Sequence, residues 1–179
     1  MNEIFRRERY HFDWLAVIAV GIFTGLTMFF TGCTADQNRA ADFKLYGKTL
    51  DDEDFDWQSL RGKYVLVKFT ATWCPPCKAE IPGMLEAYEK YRDQGFEIVS
   101  VYISESDNES IKQVVEQEQL PWIIISEPLT EKAGLPPQGK HFGIRGVPTM
   151  FIVDKEGNIC AGNTRGPALP RELEQLFGN

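Results

Sequence analysis

The sequence predicts an α/β domain in which helices flank a central mixed β-sheet, preceded by an apolar N-terminal segment. The first observation behind this is the β-rich run "YVLVKF" at residues 64–69, typical of a strand buried on both faces of a sheet. Similar runs then alternate with stretches of helical period, and a hairpin pattern follows near the C-terminus. Alternating strands and helices favour parallel pairing, whereas a hairpin adds antiparallel strands, so the sheet is expected to be mixed.

The elements are expected in the order β, α, β, α, β, hairpin, α. Before the central strand, "FKLYGKTL" at residues 43–50 suggests two short strands around a Gly-Lys turn, and residues 51–63 form an acidic connector. After it, apolar residues at helical spacing predict a helix from about Pro76 to Gln94, which Pro82 should kink.

The second half repeats these patterns and then changes to a hairpin. Gly157 and Asn158 supply turn chemistry between two apolar strands, which predicts the hairpin. The remaining predicted elements are a strand at 96–103, a helix at 107–120 capped by Asp107 or Asn108, a strand at 121–126, a loop with a short helix at 127–142, and a C-terminal helix at 170–177.

Composition and charge describe an ordinary globular protein. Of the 179 residues, 43% are hydrophobic and 25% are charged, and the formal net charge is −7. Acidic and basic residues are mixed along the chain, so no basic face is available for a phosphate backbone. We therefore expect no nucleic-acid partner.

Residues 1–33 are predicted to be a signal peptide or membrane anchor. Three arginines at positions 6, 7 and 9 precede the uncharged apolar run at 14–32, and the sequence then becomes polar. This order predicts that the arginines stay in the cytoplasm, that residues 34–42 form a polar tether, and that residues 43–179 fold outside the cytoplasm. The domain would then be extracytoplasmic and attached to the membrane through its N-terminus.

The sequence "FTGC" at residues 30–33 resembles a bacterial lipobox, in which the cysteine is acylated. Thr31, Gly32 and Cys33 fit that pattern, whereas Phe30 departs from the aliphatic residue usual at its place. Cys33 is accordingly a candidate lipidation site. An uncleaved transmembrane anchor and a soluble exported protein are the alternatives.

Cys74 and Cys77 form a C-x-x-C that three kinds of site could use. Zinc needs four ligands, and the remaining candidates (Cys160, His11 and His141) provide no second pair, so no metal site is expected. A purely structural disulfide would close too short a loop to constrain the unfolded chain much. A redox dithiol fits best, because backbone N–H groups at a helix N-terminus favour the thiolate of a cysteine placed there.

Several motifs together resemble one family. "WCPPC" follows the buried strand, and "GVPT" comes about seventy residues later, just before the hairpin. With "CPPCKAEIP", "LPW" and "IRGVPTMFIVDKEGNI", they resemble the thioredoxin superfamily, and in particular its membrane-tethered extracytoplasmic TlpA/ResA-like thiol–disulfide oxidoreductases. The resemblance covers roughly residues 43–177 and implies a thioredoxin fold for residues 43–179.

The resemblance also implies roles for individual residues. Cys74 is the attacking thiol and Cys77 the resolving thiol. Val147 and Pro148 match the cis-peptide that faces the dithiol and pairs with an extended substrate chain, and Trp73 matches the surface aromatic beside the nucleophile. No cofactor is expected beyond the redox-active Cys74–Cys77 disulfide.

Two ionisable residues flank the dithiol. Glu80 matches the acidic residue that ResA-like proteins carry three places after the second cysteine. Lys68 is a departure from the family, since many thioredoxins place Asp, and many TlpA-like proteins Asn, six residues before the first cysteine. We expect both to act on the thiols, with Glu80 as the nearest candidate for proton transfer to Cys77. The alternative for Lys68 is a stem that crosses the core and a head that reaches water.

The sequence thus predicts an enzyme that reduces disulfides of specific exported proteins, such as an apocytochrome c or a copper-site assembly factor. The family supplies the direction of the reaction, and electrons are expected from a membrane thiol carrier because no flavin or nicotinamide motif is visible. The alternative is a module that captures Cu(I) on its thiolates without turnover. A peroxidase is a third possibility, although "FTATWC" lacks the proline of the peroxidatic motif.

Overall fold

The structure, a computed structural model, describes residues 43–105, 107–128 and 138–178. The predicted leader at 1–33, the tether at 34–42 and the candidate lipidation site Cys33 lie outside these residues. In the part of the chain that the structure describes, no helix is both long enough and apolar enough to cross a membrane.

Six strands form one mixed sheet in the order β1-β4-β3-β2-β5-β6. Strand β2 pairs in parallel with β3 and antiparallel with β5, and β3 pairs in parallel with β4. The two edge strands, β1 and β6, are both antiparallel to their neighbours. The strands are β1 Lys48–Thr49, β2 Tyr64–Thr70, β3 Phe96–Glu105, β4 Ile123–Pro128, β5 Thr149–Val153 and β6 Ile159–Gly162. The predicted mixed α/β sheet is confirmed.

The helices lie between these strands and after the last one. They are α1 Pro75–Ala79, α2 Ile81–Tyr91, α3 Asn108–Gln117, α4 Gln138–His141 and α5 Ala168–Phe177, with short 3-10 turns at Trp57–Leu60 and Arg92–Gln94. Asp107 caps α3, because its side chain accepts a hydrogen bond from the Ser110 N–H at 2.9 Å. Asp107 is therefore the cap, one of the two residues predicted.

Alternation along β2 divides the core into two layers and decides where Lys68 points. Val65, Val67 and Phe69 belong to one buried cluster, whereas Leu66 belongs to the other, which also contains Met84 of α2. Successive strand residues face opposite sides of a sheet, so Lys68 shares the side of Leu66. Its side chain consequently enters the layer between the sheet and the helices that follow the dithiol.

Two sequence-based expectations about elements are wrong. The single helix predicted from Pro76 to Gln94 is interrupted at Glu80, where α1 ends and α2 begins. Pro82 has no N–H to bond the carbonyl of Lys78, so the predicted kink becomes a break. Only one strand, Lys48–Thr49, forms within residues 43–50, and the acidic connector contains a 3-10 turn anchored by buried Trp57 and Leu60.

Candidate active site

Cys74 and Cys77 form a disulfide at the junction between β2 and α1, with 5.3 Å between their Cα atoms. Both residues are almost fully buried, with 4% of Cys74 and 1% of Cys77 exposed. Cys74 is therefore not openly exposed in the oxidised pair. The two cysteines pack with Ala71 and Val147 in a small cluster of their own.

The local sequence directs one backbone N–H at the sulfur of Cys74. Cys74 is the N-cap of α1, and the next two residues, Pro75 and Pro76, have no N–H to offer. The Cys77 N–H is the first donor of the helix, and it lies 3.3 Å from Cys74 Sγ. A sulfur that accepts a hydrogen bond at a helix N-terminus is favoured as a thiolate, so this geometry supports Cys74 as the nucleophile.

A second segment, distant in sequence, lies beside the same sulfur. The Val147–Pro148 peptide bond is cis, as the resemblance implied. The carbonyl oxygen of Val147 is 3.8 Å from Cys74 Sγ. The backbone before β5 thus runs beside the dithiol.

Trp73 projects from the protein next to this pair. Its exposed fraction is 63%, and no other large hydrophobic side chain among the described residues is exposed. An aromatic ring in water beside a buried nucleophile provides apolar contact area for an incoming polypeptide. The substrate-binding role of Trp73 stays a prediction.

Lys68 lies directly beneath the active-site turn. Only 3% of the residue is exposed, and its Nζ donates a hydrogen bond of 2.9 Å to the backbone carbonyl of Cys77. Burial lowers the pKa of Lys68 from 10.5 to about 8, and the charge of Glu80 opposes that change. The alternative in which the ammonium reaches water is wrong, and its described bond is to a carbonyl rather than to a sulfur.

Glu80 connects the dithiol helix to a loop far away in sequence. Its Oε2 accepts a hydrogen bond from the Gly166 N–H at 2.7 Å, and the side chain is half-buried. Glu80 and Lys68 interact electrostatically, which places a carboxylate and an ammonium on the same side of the dithiol. The sequence predicted Glu80 near the dithiol but gave no sign of its bond to Gly166.

The loop at residues 163–167 is the part of the site that sequence reasoning missed. Asn163 and Gly166 both have positive φ angles, 56° and 51°, and Arg165 Nη1 lies 3.4 Å from the carbonyl oxygen of Pro148. The signal available in advance was "GNTRGP", in which Gly, Asn and Pro mark an irregular turn. A turn signal alone does not show that the turn lies at the active site.

The other sequence candidates lie outside this site. His141 is exposed at the end of α4, and Cys160 is partly buried on β6, where it packs against the apolar core. Within the described residues, no group of three or more His, Cys, Asp or Glu side chains is arranged to hold a metal ion.

Comparison with known proteins identifies the family. The AhpC/TSA family matches residues 37–161, well over half of the chain. This chain belongs to the AhpC/TSA family of the thioredoxin superfamily.

Two groups of relatives share this domain. The thiol-disulfide oxidoreductase ResA of Bacillus thuringiensis subsp. konkukian is 32% identical over 133 residues, which cover 74% of this chain and 69% of ResA. Nucleoredoxin of Mus musculus is 31% identical over 121 residues, which cover 67% of this chain but only 27% of nucleoredoxin.

Solved structures agree with this assignment. The thioredoxin domain of a thiol-disulfide oxidoreductase from Bacteroides vulgatus superposes with a TM-score of 0.67 at 28% identity, covering 75% of this chain and 93% of that domain. A second structure is that of a thiol:disulfide interchange protein DsbE from Chlorobium tepidum, which is 24% identical and superposes with a TM-score of 0.61. The match covers 78% of this chain and 93% of that protein, and at this identity it supports the fold alone. With its Cys74–Cys77 pair, this chain is a thiol–disulfide oxidoreductase of thioredoxin fold.

Proposed function

We propose that the protein reduces disulfides of exported proteins, with Cys74 as the attacking thiol and Cys77 as the resolving thiol. The observation that carries this assignment is the position of Cys74 Sγ, which faces the Cys77 N–H at 3.3 Å and the Val147 carbonyl at 3.8 Å. Cys74 alone combines an N-cap position with a neighbouring backbone that can hold substrate. Cys77, one helical turn farther in, is suited to resolution.

The reaction then follows two exchanges. The Cys74 thiolate attacks one sulfur of the substrate disulfide, so a mixed disulfide forms and the other substrate sulfur leaves as a thiolate that takes up a proton. The sulfur of Cys77 gives up its proton and attacks Cys74 Sγ, which releases the second substrate thiol. Two electrons pass to the substrate, and the Cys74–Cys77 disulfide remains.

Lys68 and Glu80 would support these exchanges from beneath the turn. The ammonium of Lys68 stabilises negative charge developing on the thiols and holds the Cys77 carbonyl in place, 2.9 Å from Nζ. Glu80 is the carboxylate on this side of the dithiol and would accept the proton that Cys77 loses.

The location and electron source are further parts of the proposal. The basic and apolar residues at 1–33 support export and membrane attachment, with Cys33 as the lipidated residue. A membrane thiol carrier would then return the disulfide to the dithiol after each turnover. Apocytochrome c and copper-site assembly factors are the substrate candidates.

Trapping tests the cysteine roles. Cys77→Ser in the full-length chain should retain attack and accumulate mixed disulfides that peptide mapping locates on Cys74, whereas Cys74→Ser should show no disulfide reduction and no trapped partner. Mixed disulfides that form in Cys74→Ser but not in Cys77→Ser would reverse the assignment.

Two assays on the reduced wild-type chain separate the alternatives. Insulin reduction with stoichiometric oxidation of the dithiol supports the reductase. Tight Cu(I) binding without insulin reduction would instead indicate a metal-capturing module, and consumption of hydrogen peroxide without insulin reduction would indicate a peroxidase.

Membrane attachment has its own test. If Cys33 is acylated, Cys33→Ala should abolish lipid labelling and leave an unprocessed precursor of higher mass. A wild-type chain that carries no lipid label and keeps residues 1–33 would support a transmembrane anchor instead.

A further inference from the structure

The loop at residues 163–167, named here the Arg165 loop, is fixed to the active site at two points. The Thr164 N–H donates to the Met150 carbonyl of β5 at 3.3 Å, and the Gly166 N–H donates to Glu80 Oε2 at 2.7 Å. The loop therefore extends the pairing along β5 beyond the end of β6, toward the cis-proline. A loop held at both points presents its side chains in a defined position.

Arg165 uses this position to reach the substrate-pairing backbone. Its Nη1 lies 3.4 Å from the carbonyl oxygen of Pro148, and its Nε lies 3.2 Å from Oδ1 of Asn163. The residue is nevertheless exposed. These contacts use two of the five N–H groups of a guanidinium, and the fork geometry of the remainder suits a carboxylate.

Two exposed cations lie close in sequence to the dithiol and to Val147, although the protein is negative overall. The formal net charge of the chain is −7, yet exposed Lys78 follows Cys77 and exposed Arg145 precedes Val147 by two residues. Glu80, the carboxylate that contacts the Arg165 loop, is half-buried and accepts the Gly166 N–H. Cations at the rim of a site on an acidic protein attract acidic partners selectively.

From this placement we propose that Arg165 is a specificity-determining residue, which selects substrate chains that carry an acidic side chain close to the cysteine under attack. The inference rests on the proposed reductase function and adds a substrate class to it. Arg165 contacts the carbonyl of Pro148, the residue after Val147. A substrate chain that pairs with the Val147 backbone can therefore bring a nearby Asp or Glu to the guanidinium while its sulfur meets Cys74. Trp73 contacts the apolar part of the same chain.

The test compares three peptides that differ in one side chain. Each contains an intramolecular disulfide, with Asp, Asn or Lys next to the attacked cysteine, and the pre-reduced full-length chain in detergent reduces it in a single turnover. We expect the wild type to reduce the Asp peptide about tenfold faster than the Lys peptide at low salt, a ratio that shrinks as salt screens the charges. Arg165→Glu should reverse the order of the Asp and Lys peptides, and Arg165→Lys should retain part of the preference.

Arg92→Glu is the matched control, because Arg92 is an exposed arginine just after α2 whose described ion pair is with its neighbour Asp93 and not with the Arg165 loop. This variant changes net charge by the same amount and should keep the wild-type order of peptides. An Asp preference that is absent from the wild type, or that survives in Arg165→Glu, would overturn the inference alone. If the reduced wild type reduced neither insulin nor any of the three peptides, the proposed reductase function would be wrong, and so would this inference.

Discussion

Lys68 and Glu127 are both charged side chains buried at the sheet, but their surroundings differ in kind. Glu127, on β4, accepts hydrogen bonds from the backbone N–H groups of Gln138 and Gly139 and so anchors the start of α4. Lys68, on the central strand, donates to one carbonyl, that of Cys77. The Glu127 carboxylate is buried where it binds the first residues of α4, and the Lys68 ammonium is buried beneath the disulfide.

Desolvation therefore shifts the pKa values of these two residues in opposite directions. Burial raises the pKa of Glu127, partly offset by the Gly139 N–H, and burial lowers the pKa of Lys68 to about 8, partly offset by Glu80. Both charged forms are disfavoured by desolvation. Only Lys68 lies where a change of charge is felt by the cysteines, so a functional effect is expected from Lys68 and a structural effect from Glu127.

The largest expected effect is on stability at alkaline pH. Because the pKa of Lys68 is about 8 when folded and 10.5 ordinarily, the unfolded chain binds more protons between these values, and stability rises with pH across that window. The gap between the two values corresponds to at most about 3 kcal/mol. Denaturation of the oxidised protein from pH 7 to 10 should show this rise in the wild type and its loss in Lys68→Met.

Lys63→Met serves as the control for that comparison. Lys63 lies just before β2 and forms an ion pair of 3.5 Å with Glu97, away from the dithiol. Lys63→Met should therefore show the same rise in the free energy of unfolding between pH 7 and 10 as the wild type. An identical slope in wild type and Lys68→Met would show that the buried ammonium does not titrate in this range.

The next effect concerns the reactivity of the thiols. Replacing Lys68 by Met removes a cation next to the Cys77 carbonyl, so the pKa of the attacking thiol should rise by about one unit, or ~1.4 kcal/mol. Iodoacetamide alkylation of the reduced protein as a function of pH measures this directly. Lys63→Met should alkylate with the wild-type profile, and an unchanged profile in Lys68→Met would leave the Cys77 N–H as the source of thiolate stabilisation.

Lys68 also shows where sequence reasoning succeeded and where it stopped. The dithiol, the cis-proline and the mixed sheet were predictable, because each depends on a local pattern such as "WCPPC", "GVPT" or a buried strand. The fate of the Lys68 head group was not, since it depends on α1 lying directly above β2. The bond between Glu80 and Gly166 joins residues 86 positions apart, and no local pattern encodes such a contact.

Glu80→Gln is expected to produce a smaller change that separates the two ionisable groups. The amide oxygen can still accept the Gly166 N–H, so the Arg165 loop should stay in place. Loss of the carboxylate removes the charge that raises the pKa of Lys68, and it removes the proposed proton acceptor for Cys77. We expect the resolving step, followed by rapid-quench analysis of the mixed disulfide, to slow a few-fold.

Glu86→Gln, on the exposed surface of α2, is the control for this variant and should resolve at the wild-type rate. Resolution that is equally slow in both variants would point to a general charge effect. Resolution at the wild-type rate in Glu80→Gln would limit Glu80 to holding the loop.

The smallest effect is expected at Glu127, and its sign is opposite to that of Lys68. Because the folded pKa of Glu127 is raised above 4.5, the stability contributed by its protonated form is present below that value and is lost as pH rises through the folded pKa.

Glu127→Gln removes this titration, so the stability of the variant should rise relative to that of the wild type as pH increases from 4 to 7. It should also lose about 1 kcal/mol at every pH, because an amide offers one oxygen to two N–H groups. These changes oppose each other at neutral pH, so chemical denaturation should find a smaller difference between the two proteins at pH 7 than at pH 4, with thiol alkylation unchanged. A shifted alkylation profile in Glu127→Gln would mean that a charge at the start of α4 also acts on the dithiol.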